Sequence, residues 1–230
     1  MTTQTDAFPE LARVRQFFPL GVAAPTALSR TQIDHFNEKG YIFPLNVFTE
    51  AEIAVQRAYF DDLLAKALAA GWSSYSINGW HKHCAGLYDL VTNSRILDYV
   101  QDLLGPDLVL WGTHYFAKLP GDGKRVSWHQ DASYWPLTPS KTVTVWLAID
   151  DAGCGKWCDA GDPGSHRHGQ VAFQQSSAEE NNVLYQTVTD AERYGEPPVL
   201  LALNAGQMSL HTDWLLHDSS QTTRRAAAVA

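Results

Sequence analysis

From Gly105-Pro106 onward the chain stops reading as helix. DLVLWGTHYFAKL, TVTVWLAID and VLLALNAGQMSLH are short runs rich in β-branched and aromatic residues, and PGDGK, DDAGCG and DPGSHRHG are turn-like stretches between or near them. Strands separated by turns, with no helices between them, point to an antiparallel sandwich or barrel rather than a parallel βαβ sheet. The fold expected for residues 106–230 is therefore a single β-domain.

Upstream the period is helical. Ser29 is placed to cap a short helix, TQIDHFNEKG, in which Ile33 and Phe36 stand i, i+3 and Gly40 is the stop. YIFPLNVF reads as extended. Thr49 and Glu52 have capping-box spacing and open a longer helix, with Ile53, Ala54, Phe60, Leu63, Leu64 and Leu68 at helical intervals up to Gly71. Residues 72–90 read as irregular and hold WHKHC. SRILDYVQDLLG carries Ile96, Leu97, Val100, Leu103 and Leu104 on one face. Residues 1–28, with Pro at 9, 19 and 25, read as an arm. The expected organisation is this arm, then one domain over 29–230 with a helical part to about residue 105.

Bulk properties exclude several classes. The formal net charge of −8 argues against nucleic acid, whose phosphates want a basic face. No apolar run approaches the roughly 18 residues of a membrane span, and the first residues show no secretory signal. Three cysteines suit a reduced, cytoplasmic setting.

The chemistry concentrates in SWHQDASYWP, residues 127–136. On a strand, residues i and i+2 share a face, so His129 and Asp131 can aim an imidazole and a carboxylate at one point. That is two-thirds of the two-His, one-carboxylate set that suits non-haem Fe(II). The second histidine must come from elsewhere, and His211 and His217 in GQMSLHTDWLLHDSS are both open at this point. Arg224 and Arg225 follow, and arginine binds carboxylates in bidentate fashion. An isolated His-x-Asp is common, and its ordinary meaning is a hydrogen-bonded pair of no special role.

WHQDASYWPL, PGSHRHG and GQMSLHTDWLLHDSS followed by RR, with ILDYVQDLLGPDLVLW and KLPGDGK before them, resemble the phytanoyl-CoA dioxygenase (PhyH) family over roughly residues 30–225. The family's members are Fe(II)- and 2-oxoglutarate-dependent oxygenases built on a double-stranded β-helix, a cupin-like jelly roll. The resemblance implies iron ligation by His129, Asp131 and His217, because the family's last ligand begins an H-x-S segment, here HDSS. It implies that Arg224, with Arg225 as alternate, binds the far carboxylate of 2-oxoglutarate and that Ser219 contacts the cosubstrate. Trp146 and Gln130 match positions lining the same pocket, and His114 matches a further neighbour. The implied reaction consumes O2 and 2-oxoglutarate, releases succinate and CO2, and hydroxylates a small molecule, with ascorbate as a possible reductant. The retained Asp131 points to oxygenation; related halogenases lack this carboxylate.

The chain departs from the expected family pattern in three places, one being that the sequence stops at Ala230, within the expected last strand. Arg224 follows His217 by only seven residues, and GCGKWCDAGDPGSH puts Asp159, Gly161 and Asp162 where an apolar strand is expected. The same stretch offers a rival zinc site in Cys154, Cys158, His166 and His168, and hence a zinc hydrolase. Trp80, His81, Lys82 and His83 are candidates for substrate contact. A non-catalytic or differently metallated β-barrel binding protein is the other alternative. The sequence names no substrate and no oligomeric state.

Overall fold

The helices begin where their caps stand. The computed structural model describes residues 3–119, 123–153 and 158–219 and the backbone of 228–229. Ser29 and Gln32 form a reciprocal capping box at the start of α1 (Arg30–Lys39). Gly40 ends that helix in the left-handed region at φ 91°, and a Cβ there would lie 2.7 Å from His166 Nδ1. β1 (Tyr41–Asn46) follows at once. Thr49 and Glu52 form the second capping box, opening α2 (Glu50–Ala69). α3 (Ala85–Val91) lies where the sequence reads as irregular. It is a seven-residue helix with no side-chain cap and only Leu87 and Leu90 buried, so it carries too few turns to show a period. α4 (Ser94–Leu104) is capped by the Asn93 side chain.

The β-strands are short. In chain order they are β2 (Ala117–Lys118), β3 (Val126–His129), β4 (Val143–Leu147), β5 (Asp159–Gly161), β6 (Gln174–Gln175), β7 (Gln186–Thr187), β8 (Val199–Leu200), β9 (Gln207–Thr212), β10 (His217–Ser219) and β11 (Ala228–Val229). Two antiparallel sheets matter for function, ordered β1-β9-β4 and β3-β10-β5-β8. The pairs β2–β11 and β6–β7 make two small ribbons.

Two sequence expectations change here. β1, from the part read as helical, is an edge of the first sheet, so the helix-to-sheet division at residue 105 is not a structural boundary. Its register shifts between Ile42 and Leu45, where Pro44 brings no N–H to the ladder. Residues 107–113 of DLVLWGTHYFAKL are not in a strand; Val109 is 87% exposed, and the run joins other backbone mainly through a single bridge from His114 to Asn78.

β9 shows how the first sheet is covered on one face. Met208 and Leu210 point to the helices, and their cross-strand partners Leu45, Leu147, Ile42 and Val145 point the same way. These residues join Phe36 of α1, Phe60 and Leu63 of α2 and Val100 and Leu103 of α4 in one core. The alternate residues, Ser209 and His211 on β9 with Thr144 and Trp146 on β4, face the other way, toward the second sheet.

The end of the arm is tied to α4 by a buried carboxylate. Asp102 on α4 accepts hydrogen bonds from the backbone N–H groups of Thr26, Ala27 and Leu28 at 2.7–3.0 Å. Burial pushes its pKa up, but these donors outweigh that and leave it below the ordinary carboxylate value. Asp102→Asn puts an amide N–H against those donors and is expected to cost about 2 kcal/mol in urea unfolding at pH 7. Because the folded pKa is depressed, the aspartate's contribution is present above the unfolded value of 3.8 and lost as pH falls through the folded one. The gap between wild type and variant is therefore expected to close below about pH 4.

Candidate metal centre

His129 closes β3, and Asp131 opens a single 3-10 turn, Asp131–Tyr134. The two are therefore not on one strand, as the spacing suggests. Gln130 between them is still extended, at φ −119° and ψ 129°, so the alternation runs one residue past the strand and both side chains turn to the same side. His217 opens β10 and pairs directly with His129. The ligand atoms of His129, Asp131 and His217 lie within 4.8 Å of one another, and among the described residues this is the only such His/Cys/Asp/Glu group.

Each histidine is set for ligation through Nε2. His129 Nδ1 is 2.8 Å from the Ser127 carbonyl and His217 Nδ1 is 3.0 Å from the Leu215 carbonyl. A carbonyl can only accept, so each Nδ1 carries a proton, and Nε2 is the nitrogen left to face a ligand. Those Nε2 atoms stand 3.6 Å and 3.9 Å from Asp131 Oδ1. The donor set, two imidazoles and one carboxylate, fits a divalent ion with open positions opposite.

Charges agree with this arrangement. Burial pushes Asp131 up, but the His129 and His211 rings hold it well below the usual carboxylate range. Burial, followed by the neighbouring His129 and His211, drives His217 well below an ordinary histidine. His217 therefore stays neutral and competent to ligate at neutral pH.

The surrounding motifs have structural explanations. Ser165 of PGSH donates its hydroxyl proton to the Asp162 carbonyl at 2.7 Å and accepts from the Leu216 N–H at 2.9 Å, fixing the approach to His217. Gln130, expected in the cosubstrate pocket, turns away from it. Its amide donates to the carbonyls of Gly169 and Trp214, and its oxygen accepts from the Val171 N–H at 2.9 Å. The opposite pointing follows from alternation: if 129 and 131 face in, 130 faces out.

Of the other expected pocket residues, Ser219 and Trp146 share strand faces with His217 and Thr144. Ser219 is buried two residues beyond His217. Trp146 is on the same side of β4 as Thr144 and is half-buried. His114 Nε2 lies 2.9 Å from the Tyr75 carbonyl, and its ring packs on Phe116. Arg224 and Arg225 lie outside the described residues. Asp159, left without a role by the sequence, pairs with Ser219 and so shares its inward face. Burial pushes Asp159 up to about 6, against the pull of His211, Ser219 and His129.

The rival sites do not assemble among the described residues. Cys158 is buried, with its thiol against the Asp159 carbonyl. His166 is a core histidine, edge-on to Phe17, with Nε2 3.1 Å from the Asn37 carbonyl and a pKa that burial lowers to about 4. His168 packs against Tyr194 instead, and Cys154 lies outside the described residues. In WHKHC, His81 is buried with Nδ1 2.8 Å from Thr113 Oγ1, Trp80 packs edge-on to Trp72, and Lys82 and His83 are exposed.

Comparison with known proteins agrees with this architecture. The model of the phytanoyl-CoA dioxygenase (PhyH) family matches residues 36–227. The chain belongs to the PhyH family. Human peroxisomal phytanoyl-CoA dioxygenase is 27% identical over 140 residues, covering 59% of this chain and 41% of the human protein. A probable alpha-ketoglutarate-dependent hypophosphite dioxygenase of Stutzerimonas stutzeri is 29% identical over 87 residues, or 38% of this chain and 30% of that one. The chain thus spans less than half the length of these relatives. Among solved structures, the non-heme monooxygenase ThoJ superposes with a TM-score of 0.70 at 27% identity, over 85% of this chain and 73% of ThoJ. EctD from S. alaskensis, solved with 2-oxoglutarate and 5-hydroxyectoine, gives a TM-score of 0.76 at 19% identity over 99% of this chain and 81% of EctD, a likeness of fold. The double-stranded β-helix expected from the resemblance is the fold observed. No helix among the described residues is long and apolar enough to cross a membrane.

Metal titration of the PhyH chain separates these residues by role. In anaerobic calorimetry with Fe(II), the wild type is expected to bind one equivalent. His217→Ala is expected to lose that binding, and Cys158→Ser to retain it in full, because its thiol is turned away from the three ligands.

Proposed function

We propose that this chain is an Fe(II)- and 2-oxoglutarate-dependent dioxygenase that hydroxylates a small molecule, with release of succinate and CO2. The observation that carries the reading is the convergence of His129, Asp131 and His217, with both Nε2 atoms turned to one carboxylate oxygen, in a chain of the PhyH family. An iron ion bound there supplies the activation of O2 coupled to oxidation of the 2-oxo acid.

The protein's own contribution is binding, orientation and exclusion of water. The carbonyls of Ser127 and Leu215 hold the two imidazoles in one tautomer and orientation. Ser219, buried two residues beyond His217, and Trp146, on the same face of β4 as Thr144, are assigned to the cosubstrate site. Arg224, with Arg225 as alternate, is assigned from the sequence as the cation for the far carboxylate of 2-oxoglutarate. His114, tied to Tyr75, would act on that pocket through packing. Asp131 fills the position that a halide would need, which favours hydroxylation over halogenation.

The test is 2-oxoglutarate turnover by anaerobically iron-loaded protein exposed to O2, without any prime substrate. Succinate is expected from the wild type and none from Asp131→Ala. Full turnover by Asp131→Ala contradicts the proposal, and binding of iron and 2-oxoglutarate with no oxidation of any substrate favours a binding protein.

A further inference from the structure

The fourth polar group at this centre has no place in the ligand set. His211 is fully buried, and neither of its ring nitrogens has a hydrogen-bond partner. An imidazole left this way loses the hydration of two polar atoms, so a buried one calls for a compensating neighbour. Its Nε2 lies 3.5 Å from Asp131, and the oxygen it approaches is Oδ2, not the Oδ1 that faces His129 and His217.

Oδ2 is also the oxygen taken by Thr144, whose Oγ1 donates to it at 2.7 Å. Thr144 and His211 are direct cross-strand partners on β4 and β9. Side chains of such a pair stand about 5 Å apart on one face of the sheet, which is the spacing needed to bracket a single oxygen. The two oxygens of Asp131 thus belong to different sheets. Oδ1 faces the histidines of the β3-β10-β5-β8 sheet, and Oδ2 faces the threonine and histidine of the β1-β9-β4 sheet.

We propose that Thr144 and His211 are positioning residues that grip Oδ2, so that Asp131 offers the metal Oδ1 alone. The inference rests on the metal centre proposed above. A carboxylate free to rotate can close on a metal with both oxygens and occupy one of the positions that O2 and the 2-oxo acid need. Held at Oδ2, it would offer a metal Oδ1 alone. This also separates the two histidines that the sequence left open: their rings lie side by side, centroids 4.5 Å apart, but His217 Nε2 approaches Oδ1 and His211 Nε2 approaches Oδ2.

Anaerobic Co(II) titration, read by the visible absorption of the bound ion, tests the grip independently of turnover. Thr144→Val keeps the shape and removes the donor. Both it and His211→Phe are expected to weaken Co(II) binding about 10- to 100-fold, as loss of an outer-shell partner does. They are also expected to change the Co(II) spectrum, because the carboxylate is freed. Thr144→Ser, which restores a hydroxyl, is expected to recover both the affinity and the spectrum. If His211→Phe does not fold, the Thr144→Val and Thr144→Ser pair decides. Wild-type affinity and spectrum in Thr144→Val overturn the grip while leaving the three ligands in place. Absence of Co(II) binding by the wild type overturns the metal centre itself, and the grip with it.

Discussion

The Asp131 carboxylate is the contact on which the two sheets agree. It is half-buried, and a carboxylate drawn this far out of water needs hydrogen bonds and polar partners to replace its hydration. Thr144 and His211 reach it from one sheet, His129 and His217 from the other. Much of the surrounding structure fixes where those four side chains stand. The Ala132 N–H donates to the Asp213 carbonyl, tying the turn that begins at Asp131 to the β9–β10 connection. Gln130 repeats that tie at Trp214, and Ser165 repeats it at Leu216. Segments 127–136, 164–169 and 206–219 are far apart in the chain and are stitched together within a few residues of the ligands.

The outer layers serve the same geometry. Helices α1, α2 and α4 cover only the apolar face of the β1-β9-β4 sheet, so its polar face is free to look inward. Gly40 lets the chain pass from α1 into β1 against His166, and its carbonyl then accepts from the Thr212 N–H at the end of β9. His166, its pKa lowered by burial to about 4, packs against Phe17 and the Asn37 carbonyl and is outside the ligand set.

Much of this was legible in the sequence where the signal was local. The two capping boxes' starting residues, the Gly40 stop and the turn-separated strands all follow from short-range chemistry, which reached an antiparallel sandwich or barrel; the double-stranded β-helix came from the resemblance. The His-x-Asp pair was legible from period two even though the strand ends at His129, because Gln130 stays extended. What periodicity could not reach was pairing. The apolar run at 107–113 has the composition of a strand but no strand beside it, and α3 is too short to show a period. The choice between His211 and His217 needed the register of β9 and β10; the sequence made it only by resemblance. Gln130 was misplaced because the motif's residue identity was read without its face. Asp159 was unreadable as a strand residue until its pairing with Ser219 showed that it faces inward.

The most direct measurement is a crystal structure of protein loaded anaerobically with Fe(II), with anomalous data collected at the iron edge. The account predicts one peak, ligated by His129 Nε2, His217 Nε2 and Asp131 Oδ1, with Oδ2 still bonded to Thr144. A peak elsewhere contradicts it, and so does ligation through His211 or through both oxygens of Asp131.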